Sequence, residues 1–249
     1  MDRRGAVRGM LLAALALAAA GFVALGVWQV QRLHWKRALI ARVDGRIHAP
    51  VQPPPPPASW PGVSAARDEY RHVILRGRYL AGRQTRVQAL TELGAGDWVL
   101  EPLLTADGPV LVNRGFVPDG ARPAPPPAGP VTVTGLLRIS EPGGGFLRRN
   151  QPAQDRWYSR DVAAIARARG LSGAAPYFVD AAASTGTAGW PRAGLTVVRF
   201  RNQHLQYALT WFGLAALTLW AGWRLLSDER RMRHHGHDAD FPPPPDRHG

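Results

Sequence analysis

The chain has 249 residues, a formal net charge of +13 and no cysteine. That length allows one or two domains. The lack of cysteine excludes disulfides, thiolate zinc sites, iron–sulfur clusters and covalent c-type haem attachment, so a cofactor would need His, Tyr, Met or carboxylate ligands. The arginines are scattered, many flank two apolar runs, and no nucleic-acid recognition motif accompanies them. Anionic lipid headgroups therefore suit the charge better than nucleic acid.

Residues 1–8 carry Arg3, Arg4 and Arg8. They have the look of a signal-peptide n-region, with Leu11–Leu17 as the apolar core and Ala18-Ala19-Ala20 as a cleavage site. The apolar run continues, however, to Trp28, an aromatic of the interfacial type. Residues 9–30 are uncharged and read as a retained helix long enough to cross a hydrocarbon core of about 30 Å. Beyond it, Arg32, His34, Trp35, Lys36 and Arg37 form a membrane-surface belt.

A run of prolines at 53–57, within a proline-rich linker at 50–61, reads as a stiff spacer. From Glu69 to Ile139 the pattern is strand-like. His72–Leu75, Thr85–Ala89, Trp98–Leu100, Val110–Val112 and Val131–Leu137 are β-branched or alternating runs broken by glycine, which suits an antiparallel sandwich or a small barrel. Asn113 and Arg114, placed before Gly115, read as turn residues at a strand end, with partner binding as the alternative. One helix interrupts the strands, with Ser159 as N-cap, a stripe of Val162, Ile165 and Ala166, and Gly170 as terminator. Asp155 and Asp161 read as dipole partners of that helix rather than a catalytic pair. Pro176–Asp180 and Thr196–Phe200 read as further strands.

Residues 204–226 form the second apolar run, with Arg224 near its end able to snorkel. His204, Tyr207, Ala208 and Trp211 are spaced to share one helical face. A histidine at the mouth of a membrane helix, above two aromatics, is either an anchor belt or part of a cofactor site. Residues 227–249 hold His234, His235, His237 and four consecutive prolines, and read as a disordered tail without the fixed geometry a metal site needs. Two spans put both termini on one side. Basic residues flank both the termini and the central domain, so their count alone does not choose a side; because long segments cross largely regardless of charge, the terminal arginines weigh more and favour both ends in the cytoplasm. No Gly-x-Ser-x-Gly, His-Glu-x-x-His or phosphate-binding loop is present.

Four motifs carry a family resemblance. Gly26-Val27-Trp28-Gln29 with Arg32 and Trp35-Lys36 is the first, and Val110–Pro118 the second. Asn150 with Trp157–Asp161 is the third, and Asn202–Phe212 the fourth. Together, and in this order, they resemble the Surfeit locus protein 1 family of cytochrome c oxidase assembly proteins in a bacterial form. Phe116 stands where that family usually has Trp, and Glu101 where it more often has Thr.

The resemblance implies a non-enzymatic assembly factor in a bacterial inner membrane. It implies two transmembrane helices around a periplasmic β-rich domain at 31–203, with residues 1–8 and 227–249 cytoplasmic. It also implies handling of haem a for the oxidase catalytic subunit I, alongside other assembly factors and haem a synthase. Bacterial members' role with haem makes His204 the candidate axial ligand. Tyr207, Trp211 and Trp28 would pack on the macrocycle, and Arg32 and Gln29 would meet its polar edge, the haem lying between the two helices. A scaffold that binds assembly intermediates without haem is the alternative.

Overall fold

The computed structural model describes residues 3–145, 147–183, 189–195 and 203–237. Helix α1 spans Arg3–Ile47. At 1.5 Å per residue its 45 residues reach about 68 Å, more than twice a hydrocarbon core of about 30 Å. It outruns the uncharged stretch because the residues that follow, Gln31-Arg32-Leu33 and Lys36-Arg37-Ala38-Leu39 among them, are good helix formers. It stops just short of Pro50, whose ring disfavours helix in the residue before it.

The proline run is not a free spacer. Gln52 bridges to Val73, and a short 3-10 helix follows at Pro57–Gly62. Pro55 is buried, and its carbonyl accepts the indole N–H of Trp60 at 2.9 Å and the hydroxyl of Tyr177 at 3.4 Å. A polyproline stretch keeps every carbonyl while losing its N–H groups, so it suits an acceptor-only lining of a core edge. A single turn, α2 (Ala65–Asp68), then leads into the sheet.

The strands are β1 (His72–Tyr79), β2 (Thr85–Thr91), β3 (Gly94–Thr105), β4 (Gly108–Pro118), β5 (Pro130–Ile139) and β6 (Tyr177–Ala181). Their order is β1-β5-β6-β4-β3-β2, and β1 also pairs with β3. That extra pairing, Gly77 to Thr105 through Tyr79 to Leu103, closes five strands into a barrel-like circuit. β3 is long enough to pair with β2 along its first half and with β1 at its end. Gly77 makes the closure possible: a Cβ there would lie 2.2 Å from the Leu104 carbonyl. All pairs are antiparallel except β4 with β6.

Alternation divides the apolar residues between two clusters. Val73, Leu75, Leu103, Val110, Val112, Leu137, Tyr177 and Val179 come from all five strands of the circuit and fill its interior. Leu100, Leu111 and Phe178 face the other way, with Val87 of β2. They are covered by Trp157 and by α3 (Val162–Ala168), through Val162, Ile165 and Ala166.

The N-cap of α3 is Asp161, not Ser159. Its carboxylate accepts from the Ala164 N–H at 3.0 Å. Ser159 is buried and donates to the Glu141 carbonyl at 2.7 Å instead. Asp161→Ala is expected to cost about 1 kcal/mol and lower the melting temperature by about 2–4 °C, measurable by calorimetry. Asp155 sits away from the helix start, accepting from the Trp157 indole at 2.7 Å and from Arg169 at 2.5 Å.

Helix α4 runs from His204 to His237, past the apolar run and into the stretch expected to be disordered. The expected strand at Thr196–Phe200 and residues 238–249 lie outside the described residues. The chain divides into two compact units, Met1–Ile40 with Phe200–Gly249, and Ala41–Arg199. Both long helices hold segments long and apolar enough to cross a membrane.

Candidate functional site

Within the helical unit, α1 and α4 run antiparallel. Arg8 donates to the Leu225 carbonyl near one end, and Gln29 meets His204 near the other. The seam on α1 follows Ala19, Phe22, Gly26, Gln29 and Leu33, alternating three and four residues; on α4 it follows His204, Ala208, Trp211 and Ala215. Ala19, Leu33, Ala208 and Ala215 are buried there. Small residues let the two helix backbones approach closely. At Gly26 a Cβ would lie 2.6 Å from the Phe212 ring. Gly26→Leu is therefore expected to lower the thermal stability of the detergent-solubilised protein, and Phe212→Ala added to it should recover part of the loss.

His204 is half-buried at the first turn of α4. Its Nδ1 lies 2.7 Å from the Gln29 Oε1, which is 9% exposed as a residue. An amide oxygen only accepts, so Nδ1 is the donor in this contact, which leaves Nε2 as the nitrogen a metal would take. The contact orients the ring, as a hydrogen-bond partner of the other nitrogen does for a metal-ligating histidine. Two turns deeper, Trp211 stacks on Phe22, with ring centroids 5.8 Å apart and planes 24° apart.

The expected site residues thus divide. Gln29, His204 and Trp211 come together in the seam. Tyr207 is half-exposed on the flank of α4, and Trp28 is exposed on α1. Arg32 is also exposed and stacks its guanidinium over Trp35 at 4.1 Å. Among the described residues no cluster of three or more His, Cys, Asp or Glu is placed to hold a metal ion.

The barrel holds polar sites that the sequence reading missed. Asn113 and Arg114 are in the middle of β4, not at a turn. Trp98 opposes Phe116 while Leu100 opposes Asn113, so β4 carries one extra residue. This bulge turns Phe116 to the Trp98 side, where the two rings meet edge-on at 5.8 Å. Gly115 has φ +129°, and a Cβ there would lie 2.1 Å from the Arg192 carbonyl oxygen. Only glycine suits that position.

Asn113 donates to Asp180 at 2.8 Å. Asp180 also accepts from Arg138 at 3.0 Å and from Arg160 at 3.4 Å. Arg160 grips Glu141 with two bonds, at 2.6 and 3.0 Å. Burial alone would push the Glu141 carboxyl up, but the hydrogen bonds and charge of Arg160, helped by Arg138, hold it below its usual value. Asn150 fastens the third motif: its Oδ1 accepts from the N–H groups of Tyr158 and Ser159 at 2.7 and 3.1 Å.

On the other side of the bulge, Arg114 pairs with Glu101 at 2.8 Å, both largely shielded from water. It also donates to the carbonyls of Ala124 and Pro125 at 3.1 and 3.2 Å, tying down the proline loop. Burial pushes the Glu101 carboxyl above its usual range, against the pull of Arg114. Burial likewise pushes the nearby Tyr79 hydroxyl up to about 12.

The SURF1 family model matches residues 16–216. The chain is 36% identical to Surfeit locus protein 1 of Homo sapiens over 221 residues, covering 79% of this chain and 71% of that protein. It is 35% identical to the Mus musculus protein of the same name over 220 residues, covering 79% and 70%. It is 33% identical to a SURF1-like protein of Monosiga brevicollis over 240 residues, covering 88% and 87%. The matched stretch takes in the helix pair, the bulged β4 and the Asn150 clasp. The chain belongs to the SURF1 family, the oxidase assembly factor family that its four motifs resemble.

Proposed function

We propose that this protein is a non-enzymatic assembly factor for the terminal haem–copper oxidase that holds haem a for the catalytic subunit, with His204 as axial ligand through Nε2. The observation that carries the reading is the Gln29–His204 bond, which commits Nδ1 as donor. Bound haem would supply a ferric or ferrous iron that accepts an imidazole lone pair and gives a visible spectrum.

The side chains fit that group in donor chemistry. An oriented imidazole sits at the mouth of an apolar helix pair, with Trp211 below it and the cation Arg32 available for a propionate. The seam at this depth is filled by Gln29 against His204 and by Gly26 against Phe212. The helix pair therefore presents His204 at its flank, where Tyr207 is exposed, rather than clamping a macrocycle in the seam.

The same proposal places the protein in a bacterial inner membrane with two spans. Both termini face the cytoplasm, and the barrel works on the periplasmic side beside subunit I, other assembly factors and haem a synthase. The test is purification in detergent from cells that make haem a, followed by an absorption spectrum. A substoichiometric or stoichiometric haem a signal supports the reading. No haem, where haem a is abundant, favours a membrane-tethered scaffold for assembly intermediates.

A further inference from the structure

The barrel unit carries a basic cleft that haem handling does not use. It opens between the end of α1, the proline run and α2, and holds about 550 Å³. That volume falls in the range of small-molecule sites, about 300–1,000 Å³. Arg46, Arg67 and Arg71 line it, and Asp68 is the one carboxylate on its wall among the described residues. Pro55 and Val63 add an apolar surface beside these charges.

The three guanidinium groups are held in different ways. Arg71 donates to Asp68 at 2.9 Å and to the Gln52 amide oxygen at 3.1 Å. Asp68 is 7% exposed as a side chain and also accepts from the Ser64 N–H at 3.0 Å. This carboxylate is therefore spent on Arg71. Arg46 donates to the carbonyls of Ala65, Ala66 and Glu69, which so short a helix leaves without intrahelical partners. Arg67 donates to the Gly62 carbonyl and comes only within 3.8 Å of Asp68. A carbonyl positions a guanidinium without neutralising it. Three guanidinium charges against one carboxylate leave a net +2 on the wall. Each guanidinium has five N–H donors, so Arg46 and Arg67 keep donors beyond those that the carbonyls take.

We propose that this cleft binds a phosphate monoester, with Arg46 and Arg67 as the cations that take its oxygens. A monoester carries about −1.5 to −2 near neutral pH, which matches the uncompensated charge. The planar fork of arginine fits phosphate oxygens in pairs, and a point charge does not. Backbone anchors already restrict Arg46 and Arg67, so binding orders little that is not ordered beforehand. Pro55 and Val63 give the organic part of the ester an apolar surface to lie on. A soluble metabolite and the headgroup of phosphatidate share this chemistry. The proposal is independent of the haem reading, since none of its residues touches His204 or Gln29.

The experiment is calorimetric titration of the full-length protein in non-ionic detergent, at constant ionic strength. One arm uses glycerol 3-phosphate and the other dihexanoyl phosphatidate, with dihexanoyl phosphatidylcholine as the zwitterionic control. At least one monoester should bind more tightly than the control. Binding of glycerol 3-phosphate assigns the site to a soluble ester, and binding of phosphatidate alone assigns it to a lipid headgroup. Arg67→Gln should weaken the bound monoester about tenfold. Arg46→Gln keeps an amide donor for the α2 carbonyls but removes the charge, and should weaken it to a similar degree. Arg76→Gln, at an exposed position of β1 outside the cleft, should stay within about twofold. The Arg67 side chain is 63% exposed, so its variant keeps the fold and decides the matter if Arg46→Gln does not fold. The proposal is overturned if neither monoester binds beyond the control, or if binding is unchanged in folded Arg67→Gln.

Discussion

Gln29→Leu is expected to weaken haem binding by about 10–100-fold while leaving the protein folded. The amide oxygen is the acceptor that makes Nδ1 the donor in this contact. Leucine fills similar volume but cannot accept, so His204 loses the partner that orients its ring. Gln29→Glu keeps an acceptor and should retain more affinity than the leucine variant. A haem titration followed by absorption, on proteins of equal thermal stability, measures the three affinities. Equal affinity in all three would mean that the Gln29–His204 bond only staples the helices.

Arg114→Ala is expected to destabilise the protein by about 3–5 kcal/mol near neutral pH, the cost of leaving a buried carboxylate without its partner. Glu101 is 1% exposed and has no room to reach water. Its pKa is already raised by burial, and loss of Arg114 raises it further. A raised folded-state pKa means that stability is fully present below the unfolded value of about 4.5 and is lost as pH rises through the folded value. The defect should therefore be smaller at pH 5 than at pH 8. Adding Glu101→Thr removes the buried charge, and the double variant should be more stable than Arg114→Ala alone. Denaturant unfolding at the two pH values reads all of this. A defect independent of pH would instead assign the loss to the Ala124–Pro125 carbonyls that Arg114 also holds.

Much of the barrel was legible because its strands are β-branched, apolar or alternating runs broken by glycine. Val110, Leu111 and Val112 announce a strand with two apolar faces, and the structure uses both. Closure was not legible, since the β1–β3 pairing depends on how closely Gly77 lets two backbones approach. Asn113-Arg114-Gly115 was misread because its composition is that of a turn. A bulge needs the same glycine, and only the register of β3 against β4 separates the two.

Helix length misled at two places, and the proline run at a third. Helix α1 was expected to end where apolarity ends, but helix propensity continues through the charged residues to Ile47. Likewise α4 outruns its apolar run. The proline run resembles a spacer in any sequence reading, because nothing local shows that Trp60 and Tyr177 will use the Pro55 carbonyl. At the candidate site, the helical spacing of His204 and Trp211 was visible. The partner of His204 was not, because Gln29 lies on another helix and only the antiparallel packing brings them together.

The measurement that bears most directly on the proposed role is the absorption spectrum of wild-type protein and of His204→Ala, each purified in detergent from cells that make haem a. The account predicts a haem a spectrum with the wild-type protein and its loss in a His204→Ala variant that still folds and unfolds cooperatively. An unchanged haem spectrum in that variant would contradict it.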